Sequence, residues 1–190
     1  MEMSRTTGTR RKRMSIDKNT EVVVTNNTYG MFVWESKNGE TSIELQSYGD
    51  EEFITYGELR KLKKYLTNMD LVITSVEDDD VSIVDVARGL RIDKVYEEYF
   101  DLIEDVDIED VDSEAEIDIQ EFEDFILDSH SDEYETALKG NLKHIIINLS
   151  VDLYKQRKLS DREKTRLLLE TRPKKERGDF LNDIEASLEA

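Results

Sequence analysis

The sequence predicts an α+β protein: a small N-terminal β-meander with one helix, an acidic linker region, and an α-helical C-terminal part. Three observations lead there. Residues 21–46 alternate β-branched and polar residues between turn cues. Apolar residues recur at helical spacing over 55–66 and again through most of 133–189. Between these patterns, residues 77–133 carry 24 acidic against three basic side chains, a net −21 in a chain whose total is −19.

The elements follow in order. Residues 1–19 are polar, basic and Ser/Thr-rich, with the cluster Arg10, Arg11, Lys12, Arg13. They hold too little apolar surface for a core and read as a flexible arm. Val22, Val23 and Val24 begin the strand texture, which runs through the Asn26-Asn27 turn to Phe32-Val33-Trp34. Asn38-Gly39 is a strong hairpin cue, and Thr41 to Leu45 alternates as a half-buried strand. Thr55 and Glu58 have capping-box spacing, and Leu59, Leu62, Tyr65 and Leu66 follow on one helical face. Arg60, Lys61, Lys63 and Lys64 take the opposite face. Leu71–Val76 reads as a strand that closes a unit over 20–76, and Val81–Val86 as another short strand. A short helix is expected over Asp93–Leu102.

The middle third of the chain is an acidic segment, 77–133, that keeps apolar residues at intervals (Val106, Ile108, Val111, Ile117, Ile119, Phe122, Phe125, Ile126). Residues 134–190 form the helical part. Leu138, Leu142, Ile145, Ile146, Leu149 and Leu153 describe one stripe from about Glu133 to Arg157. Ser160-Asp161-Arg162-Glu163 reads as a capping box with Ser160 as the cap, Pro173 as the stop, and a last helix begins near Asp179.

Composition excludes several kinds of chemistry. The chain has no cysteine, hence no disulfide, thiol nucleophile or cysteine-based zinc site. No apolar run approaches the ~20 residues of a membrane span, and the basic N-terminus lacks the apolar stretch of a signal peptide; a soluble intracellular protein is expected. The 37% hydrophobic content lies below the usual range of about 45–50%, so the private core is modest or some surface waits for a partner. The eight glycines form no phosphate loop, and no Gly-x-Ser-x-Gly elbow is present. Asp105, Asp107, Glu109 and Glu116 share the frame of a calcium loop. Asp110 stands where that loop needs glycine, however, and Asp112 where it needs an apolar anchor. Asp128, His130 and Asp132 alternate in a polar linker, which favours solvation over ligation. No catalytic residue, metal or cofactor is assigned, and the chain is not expected to be an enzyme.

The runs Glu21 to Thr28 (EVVVTNNT), Gly30-Met31-Phe32-Val33-Trp34, and Tyr48-Gly49-Asp50 with Ile54 to Leu59 (ITYGEL) resemble small structural proteins of tailed bacteriophages. The resemblance covers residues 21–66. It implies a β-unit whose arm laces onto neighbouring subunits, in a head, neck or tail accessory protein found in the virion and, during assembly, in the host cytoplasm. The expected partners are other virion proteins in a multi-copy assembly, with no membrane. The partner-binding candidates are Arg10, Arg11, Lys12, Arg13, Phe32, Trp34, Arg60, Lys61, Lys64, Arg162 and Arg166. Lys155–Arg177 carries a net +6; docking against the acidic segment, in cis or in a neighbouring copy, accounts for it better than nucleic acid does, because stacking aromatics are missing. Two rival readings stand beside this one. The acidic segment would imitate nucleic acid to regulate a host enzyme, or residues 155–177 would bind DNA.

Overall fold

The computed structural model describes residues 15–37, 39 and 41–189. The chain is α+β, with its strands toward the N-terminus and its helices toward the C-terminus. The Arg10–Arg13 cluster and Asn38 of the hairpin cue lie outside the described residues.

Strand β1 (Glu21–Asn26) is the centre of a three-stranded antiparallel sheet, flanked by β4 (Glu51–Thr55) and β5 (Leu71–Val76). Strands β2 (Phe32–Glu35) and β3 (Ser42–Leu45) form a separate hairpin with Phe32 opposite Leu45 and Trp34 opposite Ile43. This pairing differs from the meander expected over 21–46, in which β1 would bond β2. The reason lies at Asn26 and Asn27, both fully buried. The Asn26 side chain donates to the carbonyls of Gly30 and Ser47 (2.9 and 3.0 Å) and accepts from the Thr28 N–H (3.1 Å). Asn27 donates to the Met69 carbonyl (3.2 Å). These asparagines lock the mouths of three loops instead of turning the chain back on itself, so the hairpin becomes an excursion and β4 returns beside β1.

The helix expected after Thr55 begins there. The Thr55 hydroxyl accepts from the Glu58 N–H (3.4 Å) at the start of α1 (Tyr56–Leu59). A 3₁₀ turn (Arg60–Leu62) leads into α2 (Lys63–Thr67). Leu59, Leu62 and Leu66 are fully buried while Arg60, Lys61, Lys63 and Lys64 face solvent, the two-sided pattern of a surface helix.

Beyond β5 the structure corrects the expected strand at Val81–Val86. That segment opens α3 (Ile83–Leu90), because Ser82 and Asp85 form a reciprocal capping box. Ile83, Val84, Val86, Ala87 and Leu90 are buried along it. Helix α4 (Asp93–Tyr99) follows and ends in a π turn (Phe100–Glu104). Tyr96 is fully buried, and its hydroxyl accepts the Ile73 N–H (2.9 Å) beside the register shift between β1 and β5. Residues 105–119 have no regular structure. Asp107, Asp112 and Asp118 each accept the N–H two residues ahead, while Ile117 donates to the Thr74 carbonyl on β5 (2.9 Å).

The single stripe expected over 133–157 is two helices, α6 (Ser131–Ala137) and α7 (Lys143–Lys155), preceded by α5 (Gln120–Asp128). The break at Lys139-Gly140-Asn141 comes from a tertiary contact. Glu98 of α4 accepts from the Asn141 N–H and side-chain amide (2.5 and 2.8 Å) and the Leu142 N–H (3.3 Å). It thereby supplies the anionic cap that the start of α7 lacks in its own sequence. A Cβ on Gly140 would stand 1.9 Å from a Glu98 oxygen. Helix α8 (Arg162–Glu170) is capped one residue later than expected. Asp161, not Ser160, accepts from the Glu163 and Lys164 N–H groups (2.8 and 2.9 Å). Its carboxylate reaches both donors and also suits the positive end of the helix. Pro173 follows α8, and α9 (Arg177–Glu189) closes the chain.

A single apolar cluster runs from Val22 through the acidic segment (Ile117, Phe122, Ile126) to Leu167. Polar ties cross the same boundaries. The Tyr29 hydroxyl donates to Glu123 (2.5 Å), whose carboxylate is only 4% exposed and also pairs with Lys158 (3.3 Å). Tyr48 stacks on Tyr29 and donates to the Ile119 carbonyl (2.8 Å).

Gly140→Ala is expected to push the Glu98 carboxylate off the start of α7 and so lower stability by about 0.5–2 kcal/mol, the cost of a lost helix cap, read as a lower urea midpoint. Gly178→Ala, where nothing lies within 4 Å, is the control and does not lower it. A second prediction concerns alkaline pH. Burial raises the hydroxyl pKa of Tyr134 to about 12, and those of Tyr96 and Tyr99 further. Unfolded tyrosine ionises near pH ~10, so the folded chain holds these protons longer than the unfolded one. The resulting stability is complete below pH ~10 and is lost as pH rises through the folded values. Tyrosinate absorbance of these three is therefore expected to appear together with loss of helical circular dichroism, not ahead of it.

Candidate functional site

Two open cavities of opposite character mark the surface. The first, about 500 Å³, lies where the β2 end of the hairpin meets the 3₁₀ turn, and is lined by Trp34, Glu35, Ser36, Lys37 and Lys61. Its walls are fixed from below. Trp34 is half-buried and packs on the core. Ser36 is buried; its N–H donates to the Thr41 carbonyl (2.8 Å) and its hydroxyl accepts the Thr41 N–H (3.0 Å), which closes the hairpin. The Thr41 hydroxyl donates to Glu58 (2.8 Å), joining the hairpin to the start of α1 and holding the Glu58 carboxyl below its ordinary range. Among the described residues the groove thus has an apolar floor, Trp34, with two ammonium groups and one carboxylate, Glu35, around it.

The second cavity, about 450 Å³, lies between α4 and the loop after the π turn, lined by Lys94, Glu97, Glu98, Asp101, Asp105 to Ile108 and Asn141. Five carboxylates face one lysine there, and one of the five, Glu98, is engaged in capping α7. Val106 is 38% exposed at its edge.

The structure separates the sequence-derived candidates by what their charges already do. Trp34 and Lys61 come together in the groove. Arg60, Lys61, Lys63 and Lys64 are exposed, and none forms an ion pair among the described residues. Phe32 points the other way: it is buried, edge-on to Tyr65 at 5.0 Å, and so serves the core and not the surface. Its exposed neighbours on the same strand region are Met31 and Val33. Arg166 is held by Glu163 (3.1 Å) and Glu170 on its own helix, which raises its pKa further. Arg162 is exposed at the start of α8. Arg10, Arg11, Lys12 and Arg13 lie outside the described residues.

Much of the 155–177 charge is spent within the chain. Lys155 pairs with Asp152 (3.1 Å) and Lys158 with Glu123. Lys164 is buried and donates to the Ile126 and Leu127 carbonyls (2.8 and 3.0 Å) at the end of α5, and desolvation lowers its pKa. The sequence reading placed Lys63 on the basic face without counting it among the partner-binding candidates, and it missed Lys37, which lines the groove beside Trp34. It also missed the buried Glu123, for which no local signal existed. In the calcium-like frame, Asp107 is turned onto its own backbone and Glu109 onto Arg88. Among the described residues no three His, Asp or Glu side chains gather to hold a metal, and no helix is long and apolar enough to cross a membrane.

No protein-family model, curated protein or solved structure matches this chain.

Reversing the unpaired cations (Lys61→Glu with Lys64→Glu) is expected to leave the urea midpoint nearly unchanged, within about 0.5 kcal/mol for each surface substitution. Lys164→Met, which keeps the apolar stem but strips two buried carbonyls of their donor, is expected to cost about 1–3 kcal/mol. Parallel denaturation curves decide both.

Proposed function

We propose that this protein is a non-enzymatic structural or assembly component of a tailed-phage virion, one that holds neighbouring proteins through a charged, partly apolar surface. The observation that carries the reading is the Trp34 groove with the basic face beside it. A tryptophan that packs on the core yet stays half-exposed in an open groove, next to four exposed cations that form no ion pair among the described residues, leaves apolar and cationic surface available for a contact with another protein. Aromatic and cationic side chains of this kind are the usual anchors of interfaces. The choice of a virion rests on the resemblance carried by residues 21–66, and the basic arm, Arg10–Arg13, supplies a second attachment in this reading. Weak contacts of this sort gain strength when copies are arrayed, because each bound contact raises the effective concentration of the next.

The DNA-binding alternative is not favoured, since Lys155, Lys158, Lys164 and Arg166 are already engaged within the chain. Mass spectrometry of purified phage particles tests the proposal. Stoichiometric presence of the chain is the expected result. Expression confined to early infection, with the chain absent from particles, would overturn it.

A further inference from the structure

We propose that the Trp34 groove receives the Val106 loop of a second copy of this chain. The inference rests on the reading of that groove as an intersubunit contact and names its partner. The argument is one of matching shapes and signs. The groove offers an apolar floor, Trp34, flanked by the ammonium groups of Lys37 and Lys61, with Arg60, Lys63 and Lys64 on the helix beside it. Glu35 is the one carboxylate among its described lining residues. A fitting occupant is an exposed apolar side chain set between acids.

The chain carries such a feature. Val106 is 38% exposed and stands between Asp105 and Asp107, inside the segment that holds the excess negative charge. Its presentation is built in advance. Asp105 takes a left-handed conformation (φ 54°) that ends the π turn. The Val106 N–H donates to the Phe100 carbonyl (2.9 Å), and Asp107 accepts the Glu109 N–H (2.9 Å). A loop already held in one shape loses less entropy on docking than a flexible one. Of the large apolar side chains that are exposed among the described residues, Met31, Val33 and Phe53 belong to the β-unit, and Val106 is the one bracketed by carboxylates. The groove and the loop are different surfaces. One contact per copy therefore propagates into rings or filaments, whereas two reciprocal contacts close a dimer.

Sedimentation velocity of the full chain over a range of concentration and salt tests this. Self-association is expected, and it weakens as salt screens the opposed charges. Lys61→Glu and Asp107→Lys each weaken it by about tenfold or more, in keeping with like charges placed face to face. The Lys61→Glu/Asp107→Lys double variant, which restores opposite signs across the contact, recovers association. Val106→Ser weakens it without altering the salt dependence. Circular dichroism and the urea midpoint confirm that each variant is folded.

Rings, filaments or dimers that respond in this way all support the proposal. A chain that stays monomeric at every concentration, or association indifferent to Lys61 and Asp107, overturns it. Failure of the wider reading is distinguishable: a monomer that still enters particles in a Trp34-dependent manner sinks only the self-contact, whereas one absent from particles sinks the structural role as well.

Discussion

Apolar side chains spaced through residues 81–126 pack between the sheet and the C-terminal helices, and their burial has to outweigh the repulsion among the carboxylates around them. The magnitudes favour burial. Each fully buried Ile, Val, Leu or Phe is worth about 1.5–3 kcal/mol, and the stretch buries Ile83, Val86, Val95, Phe122 and Ile126 among others. Two exposed like charges 4 Å apart in water repel by about 1 kcal/mol, and salt damps this beyond about 8 Å. The acidic segment is therefore folded structure with its acids, the buried Glu123 excepted, turned outward. Had its apolar residues been fewer, the same charge would have kept the segment extended.

Given that constraint, polar groups decide the details. Asn26 and Asn27 set which strand lies beside β1. Glu98 decides where the helix after residue 137 begins. Glu123, held by Tyr29 and Lys158, joins the loop after β1 to α5 and to the end of α7. Each is a buried or half-buried polar side chain that finds a partner across a long sequence distance, although the Asn27 amide oxygen has no hydrogen-bond partner among the described residues. An unpaired buried group would cost more than a made hydrogen bond gains, and that asymmetry makes these few contacts specify the arrangement.

The same accounting of partners sorts the cations. Along the C-terminal helices the basic groups at 155, 158, 164 and 166 each meet a carboxylate or a carbonyl of their own chain. Those on the short helix after β4 form no ion pair among the described residues, and they sit beside the open groove over Trp34. A net charge on a stretch of sequence thus says little about what the stretch offers a partner; the number of charges left unmatched after folding says more.

Local patterns in the sequence determined the α+β class, the helix capped by Thr55, the strand at 71–76, the stop near Pro173 and the exposed basic face. All of these depend on residues within a turn or two of one another. The Ser82–Asp85 capping box was equally local, although Val81–Val86 reads as a short strand from the sequence. Tertiary structure alone decided the strand order β4-β1-β5, the break at Gly140, the burial of Phe32 and the placing of Trp34 over a groove. Those outcomes depend on which distant side chain arrives to satisfy a backbone group or cover an apolar face. Glu98 and Gly140 lie 42 positions apart, and no periodicity within either segment encodes their meeting.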